Sequence, residues 1–241
     1  MSARFEELAW HETRLGPLSL RRRRVLSLDD LEIFEVKLGE EYLMSSLFTE
    51  AEIALARLGL AGLGPDLDVV VGGLGLGYTA RAALQNPHVR SLIVVDALAE
   101  VIGWHRDGLV PLGREIADDP RCRLVHADFF ARSAPDVGFD ETAPGRRFHA
   151  ILLDIDHSPR HLLSAGHGAF YSEQGLAGAA AQLHPGGAFA LWADGSPDAE
   201  FLQRLQSVFA TATSHVVTFF NPLLECDSAS TVYVAHTAPQ G

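Results

Sequence analysis

Three aspartates and one glycine-rich turn carry the residue types that are best suited to chemistry. Asp96, Asp128 and Asp154 each end an apolar run that is typical of a buried strand. The turn from Gly72 to Gly77 follows another such run, Val69-Val70-Val71, and a helical pattern comes after it. Glycines allow positive φ and let a ligand lie against bare backbone, and a helix N-terminus offers free N–H groups. The turn therefore predicts a binding site for a nucleotide or adenosyl ligand.

Elements of two kinds must position these residues. A helix is predicted from Thr49 to Leu60, where Thr49 and Glu52 fit a capping box, and it leads into the glycine strand. Beyond that strand, apolar strands and helical patterns alternate, which predicts a mostly parallel sheet. In an open parallel sheet the ligand binds at the carboxyl ends of the strands. We therefore expect the three aspartates and the glycine turn to meet in one crevice.

The first 48 residues follow a different pattern. Turn residues separate short alternating runs, including Leu31 to Leu38, which predicts a hairpin or small meander of strands. The arginine run from Arg21 to Arg24 is interpreted as a solvated strand edge, where charge discourages aggregation. We predict an N-terminal β segment over residues 1–48 and an α/β domain over residues 49–241, which an antiparallel pair of strands closes.

Composition narrows the classes of function. The net charge of −12 argues against nucleic acid as a partner. No apolar run approaches the roughly 20 residues needed to span a bilayer, and the polar N-terminus is unlike a secretory signal. Cys122 and Cys226 lie far apart without the spacing of metal ligands. We expect a cytoplasmic protein that binds neither membranes nor metal ions.

Three histidines, His157, His161 and His167, share the segment after the fourth predicted strand of the parallel sheet. His157 is a candidate general base, and the alternative is a solvated loop residue. The spacing of the three is not that of a helix-borne zinc motif, so they do not change the expectation that the protein holds no metal.

The order of glycine turn, acids and a late Pro185-Gly186-Gly187 turn resembles the class I S-adenosylmethionine-dependent methyltransferase fold. Within that fold, the chain resembles the spermidine synthase (polyamine aminopropyltransferase) family. Three segments carry the closer likeness: Asn86-Pro87-His88-Val89, Asp119-Pro120-Arg121 and Phe170-Tyr171-Ser172-Glu173. The resemblance implies a Rossmann-like α/β fold, with a mostly parallel sheet, a C-terminal antiparallel strand and a small N-terminal β extension.

The resemblance also implies which residues form a nucleoside site. This site would bind the co-substrate, either decarboxylated S-adenosylmethionine or S-adenosylmethionine. Asp96 would accept hydrogen bonds from the ribose hydroxyls. Asp128 would accept one from the adenine amino group, with Phe129 beside the ring. The residues that would line the nucleoside and its sulfonium tail are Gly72, Gly73, Gly75 and Gly77.

In the family's reaction, Asp154 would be the catalytic carboxylate, and Asp156 would help it to handle an amine acceptor. The attacking amine is protonated in water, so a carboxylate must bind it and help to remove a proton. The sulfonium is already a good leaving group, and the enzyme mainly supplies orientation and charge placement. The resemblance therefore implies a transferase that acts on a small-molecule acceptor. Members of the family are often dimers, so a homodimer is also an expectation.

The chain departs from the family in the half of the site that would hold the amine. Met44 and Ser45 stand where the family has a Tyr-His pair, and the run from Asp154 to Pro159 is one residue longer than the family's. Two alternatives stay open. One is an S-adenosylmethionine-dependent methyltransferase, in which the glycine-turn backbone would accommodate the methionine carboxylate. The other is a non-catalytic nucleoside-binding homologue.

Overall fold

The computed structural model describes residues 5–240, so residues 1–4 and 241 of the two predicted segments lie outside it. An N-terminal antiparallel sheet of four strands follows the order of the chain. Its strands are β1 (Phe5–Thr13), β2 (Gly16–Val25), β3 (Leu31–Leu38) and β4 (Glu41–Ser45). The predicted N-terminal β structure is confirmed, and β3 has the predicted bounds. The division of the chain at residue 48 stays a prediction.

The interpretation of the arginine run as a sheet edge is wrong. Strand β2 lies between β1 and β3, so its arginines face acidic residues on both neighbours. Arg22 pairs with Glu6 on β1, and Arg23 holds the nearly buried Glu35 of β3 at 2.8 Å. Cross-strand pairs of opposite charge stabilise neighbouring strands, so the run holds the sheet together rather than protecting its edge.

A second sheet of seven strands has the order β10-β11-β9-β8-β5-β6-β7. Its strands are β5 (Leu67–Gly72), β6 (Val89–Asp96), β7 (Cys122–His126), β8 (Phe148–Leu153), β9 (Leu183–Asp194), β10 (Thr211–Asn221) and β11 (Cys226–His236). Strands β5 to β9 pair in parallel, and β10 and β11 are antiparallel. The mostly parallel sheet with an antiparallel closing pair is therefore confirmed.

Helices cover both faces of this sheet. They are α1 (Glu50–Gly59), α2 (Tyr78–Leu84), α3 (Ala99–Asp107), α4 (Gly113–Ala117), α5 (Phe129–Arg132), α6 (Glu173–Ala181) and α7 (Ala199–Val208). Val69 and Val71 of β5 pack into the apolar layer that includes α1 and α2, and Val70 packs into the opposite layer. Alternation along a strand buried on both faces explains the continuous valine run. Within residues 5–240, none of the helices has the length and apolar character needed to cross a membrane.

Two predictions about local geometry are wrong. Asp128 does not end a strand, because β7 stops at His126; it is the N-cap of α5 and accepts hydrogen bonds from the amides of Phe130 and Ala131. Thr49 is the N-cap of α1, but its side chain makes no capping hydrogen bond. Glu52 is therefore not held in a capping box.

Candidate active site

A cavity of about 630 Å³ opens beside the glycine turn, at the carboxyl ends of β5, β6 and β8. The predicted site residues that line it are Gly73, Gly75, Asp96, Asp128, Phe129 and Asp154. Strand β4 and the β10–β11 pair supply the opposite wall, where Met44 and Phe219 lie. The expectation that the glycine turn and the three aspartates meet in one crevice is confirmed.

The four predicted glycines divide into two pairs. Gly73 and Gly75 line the cavity, and at Gly73, where φ is +91°, a Cβ would overlap the carbonyl oxygen of Asp154. Gly72 and Gly77 lie outside the lining, where a Cβ would overlap the Phe129 ring or the side chain of Ile116. All four positions need glycine, because a Cβ at each would overlap a neighbouring protein atom.

Four of the five amides from Gly73 to Gly77 already have partners within the protein. Asp96 accepts from Leu74, and Met44 Sδ lies 2.8 Å from the Leu76 nitrogen. The remaining pairs are Gly73 with the Val95 carbonyl and Gly77 with the Leu74 carbonyl. These contacts argue against the expectation that this backbone would receive a methionine carboxylate.

Asp96 joins the end of β6 to the glycine turn. Its Oδ2 accepts a hydrogen bond from the Leu74 amide, and its Oδ1 accepts one from the Leu98 amide, both at 2.8 Å. Burial raises the pKa of Asp96. The hydrogen bonds from the backbone amides favour the ionised form and have the opposite, smaller effect on this pKa. Each carboxylate oxygen has a second lone pair, so both can also accept from a ligand hydroxyl.

Asp154 lies where the chain leaves β8, and Thr79 of α2 donates a hydrogen bond to its Oδ2 at 2.6 Å. Burial raises the pKa of the Asp154 carboxyl to about 6. Glu52 lines the same cavity from α1, and burial together with the Asp154 charge raises the pKa of Glu52 to about 8. Since the two groups repel each other when ionised, the pair retains a proton near neutral pH.

Glu52 is the site residue that sequence reasoning missed. Glutamate three positions after Thr49 is what a capping box requires, so the local pattern gave Glu52 a sufficient structural role. The signal that places it in the cavity is tertiary, because it depends on how α1 packs against α2 and β8.

This acid pair predicts a pH-dependent stability. Because the pKa of Glu52 is raised in the folded state, the folded protein keeps a proton that the unfolded chain releases above its ordinary pKa of 4.5. Stability therefore falls as the pH rises from that value to about 8. Between about pH 5 and pH 8.5, we expect the Tm of the ligand-free wild type to fall roughly 5 °C further than that of Glu52→Gln.

The control for this measurement is Glu40→Gln, because the Glu40 side chain is fully exposed. Its Tm should follow the wild-type curve at every pH in differential scanning calorimetry. Parallel curves for wild type and Glu52→Gln would contradict the raised pKa.

Asp156 does not line the cavity. Its side chain is completely buried and accepts hydrogen bonds from the Leu163 amide at 2.7 Å, the Tyr171 hydroxyl at 2.8 Å and His167 Nδ1 at 2.8 Å. The chain leaves the strand after Leu153, so the alternation that would point Asp154 and Asp156 the same way ends there. This geometry argues against the predicted catalytic role of Asp156, which instead fastens the loop after β8.

We expect Asp156→Asn to lower the free energy of unfolding by about 2 kcal/mol, because the amide cannot accept from all three donors. Urea denaturation measures the change. Asp136→Asn, at an exposed loop position, is the matched control and should stay within about 0.5 kcal/mol of wild type. A similarly small change for Asp156→Asn would show that this network does not stabilise the fold.

The three histidines of the loop separate in the structure. His157 lines the cavity, with its Nε2 3.3 Å from Glu41 on β4, and its role as general base stays a prediction. His161 is exposed beside it, whereas His167 stacks on Phe130. Among residues 5–240, no group of three histidine, cysteine or acidic side chains is placed to hold a metal ion.

The lining of the cavity is strongly acidic. Its carboxylates are Glu50, Glu52, Asp96, Asp128, Asp154 and Asp194. Among the described residues that line it, there is no lysine or arginine. A cleft lined by one sign of charge concentrates ligands of the opposite sign, so the geometry favours a cationic ligand.

Comparison with known proteins finds relatives in sequence and in fold. No protein-family model matches the chain. A segment of 161 residues is 27% identical to polyamine aminopropyltransferase 2 of Pseudomonas aeruginosa. The match covers 63% of this chain and 42% of that protein, so the chain spans less than half the length of this relative.

Two solved structures share the fold. The spermidine synthase of Thermotoga maritima aligns with a TM-score of 0.72 and 15% identity, over 97% of this chain and 73% of that one. A spermidine synthase in complex with the transition-state analogue AdoDATO aligns with a TM-score of 0.73 and 16% identity, over 97% and 74% of the two chains. The predicted fold is therefore confirmed. In sequence and in fold, the chain is similar to the spermidine synthase (polyamine aminopropyltransferase) family, as its motifs predicted.

Proposed function

We propose that this protein is an aminopropyltransferase that uses decarboxylated S-adenosylmethionine and a small amine acceptor. The observation that carries the proposal is the acidic cavity, whose described lining has six carboxyl groups and no lysine or arginine. The sulfonium, the aminopropyl ammonium and the acceptor ammonium are all cations. Such a lining attracts each of them.

The nucleoside half of the proposal rests on Asp96, Asp128 and the glycine turn. Asp96 has lone pairs to spare for ribose hydroxyls, because each of its oxygens accepts one backbone amide. Asp128 caps α5 through Oδ1, so its Oδ2 can accept from an adenine amino group. Phe129 is almost fully buried against Gly72, which makes it a fixed wall for the ring.

In the reaction, Asp154 would bind the attacking ammonium and accept one of its protons. The freed lone pair then forms a bond to the carbon beside the sulfonium sulfur. The electrons of the broken carbon–sulfur bond stay on sulfur, and methylthioadenosine leaves as a neutral product. Asp154 suits this step because burial raises its pKa towards neutrality, where a carboxylate is a more effective base.

The same cavity argues against methyl transfer from S-adenosylmethionine. The methionine carboxylate would need a cationic side chain or free amides near the glycine turn. The described lining offers neither lysine nor arginine, and four of the five amides from Gly73 to Gly77 are already paired. An anion beside Glu52 and Asp154 would be repelled.

A thermal-shift comparison tests the proposal. A ligand that binds the native state raises the Tm by mass action. Decarboxylated S-adenosylmethionine should raise the Tm more than S-adenosylmethionine does, and putrescine should add to the shift with methylthioadenosine. A larger shift with S-adenosylmethionine, unaffected by putrescine, would favour methyl transfer. The absence of a shift with every nucleoside would contradict the nucleoside site itself.

A further inference from the structure

Glu52 has no part in the mechanism above, yet it lies beside the catalytic carboxylate. Thr79 Oγ1 donates to Asp154 Oδ2 at 2.6 Å and lies 3.4 Å from the carbonyl oxygen of Glu52. This hydroxyl therefore fixes the first turn of α1 against the end of β8. Both carboxyl groups line the same cavity.

The charges that act on Glu52 are both acidic, namely Asp154 after β8 and Glu50 on α1. The two histidines of the lining lie against other acids, His157 against Glu41 and His167 against Asp156. The other titratable lining residues are Tyr42, Tyr78, Asp96, Asp128 and Asp194. Strands β10 and β11 contribute uncharged residues to the lining, namely Phe219, Asn221, Ser228, Ala229 and Ser230. The basic side chains on β3 and α2 pair elsewhere, Lys37 with Glu40 and Arg81 with Glu115.

Two neighbouring carboxyls in a half-buried site without a cation have two ways to avoid repulsion. They share a proton, or they bind a cationic ligand. A ligand ammonium satisfies both carboxylates in their ionised form, so its arrival and the loss of the shared proton are linked.

We propose that Glu52 and Asp154 bind the acceptor ammonium together and release to solvent the proton that the empty pair shares. The inference rests on the proposed function, because it needs an amine acceptor. In the empty site, the two carboxyl groups hold one proton between them. When R–NH₃⁺ binds, this shared proton goes to solvent and both carboxylates contact the ammonium. Asp154 then accepts the ammonium proton during the attack, so Glu52 positions the amine while Asp154 acts as base.

Isothermal titration calorimetry tests this linkage directly. Putrescine is titrated into protein loaded with methylthioadenosine at about pH 7, in two buffers that differ in their enthalpy of ionisation. The difference in heat gives the number of protons released. Wild type should release roughly one proton per putrescine bound. Glu52→Gln should release few or none and bind putrescine at least about tenfold more weakly, with an unchanged Kd for methylthioadenosine.

Two further variants separate this role from a merely structural one. Glu52→Asp keeps the carboxyl group and should retain proton release with weaker binding. Glu40→Gln should match wild type in both quantities. Wild-type affinity and wild-type proton release in Glu52→Gln would overturn the inference.

The test also distinguishes this inference from the proposed function. If wild type binds methylthioadenosine but binds neither putrescine nor other small diamines, the role of Glu52 is overturned and the nucleoside site survives. If methylthioadenosine itself does not bind, the proposed function fails, and the inference fails with it.

Discussion

Asp154→Asn should lower kcat/KM for aminopropyl transfer by roughly a thousandfold, while the Kd for methylthioadenosine stays within about twofold of wild type. The side chain keeps its shape, and Thr79 can still donate to the remaining oxygen. What is lost is the carboxylate that binds the cationic amine and accepts its proton. Steady-state kinetics and calorimetry measure the two effects separately.

Asp118→Asn is the matched control for this prediction, because Asp118 is exposed and pairs only loosely with Arg114, at 3.9 Å. Its kinetics should equal those of wild type. If Asp154→Asn retains more than about a tenth of the wild-type rate, Asp154 is not the base. His157 and Glu52, which line the same cavity, would then be the remaining candidates.

Asp96→Asn should weaken nucleoside binding about a hundredfold. Asp96 accepts from the Leu74 and Leu98 amides through different oxygens, and an asparagine would present a donor to one of these two donors. The change removes an acceptor for the ribose hydroxyls and also loosens the glycine turn. Calorimetry with methylthioadenosine measures the affinity.

Asp107→Asn is the control here, since Asp107 ends α3 and is exposed. A melting curve for Asp96→Asn separates weak binding from unfolding, because a folded variant keeps a cooperative transition. Wild-type affinity in this variant would show that the nucleoside does not use Asp96.

The parts of the site that sequence reasoning found lie where strand geometry determines position. Asp96 ends β6, and Asp154 directly follows β8. Both strands are neighbours of β5 in the parallel part of the sheet. Parallel strands bring their carboxyl ends to one edge, so residue type and position along the strand were sufficient. Asp128 caps α5 instead of ending β7. It still lies in the same cavity, because only one residue separates it from the end of β7.

The parts that it did not find depend on contacts between distant segments. Glu52 fits a capping box as well as it fits a cavity wall, and only the packing of α1 distinguishes the two. Asp156 lies two positions after Asp154, so in a continuing strand the two side chains would point to the same face. The strand ends at Leu153, so this alternation does not apply to them. The partners of the arginines on β2 come from two other strands, and pairing of strands is not encoded locally.

Met44 shows what the N-terminal sheet adds to the site. Its sulfur packs against Gly75 in the glycine turn. Strand β4 therefore forms part of the cavity wall beside the glycine turn. The N-terminal sheet thus contributes to the cavity wall that faces Asp96 and Asp154.

The most direct test of aminopropyl transfer is the identity of the product. The protein is incubated with putrescine and either decarboxylated S-adenosylmethionine or S-adenosylmethionine, and the products are analysed by mass spectrometry. We expect putrescine that carries one added aminopropyl group, together with an equal amount of methylthioadenosine, from the decarboxylated nucleoside alone. A methylated amine from S-adenosylmethionine, with no aminopropylated product from its decarboxylated form, would contradict the proposed function.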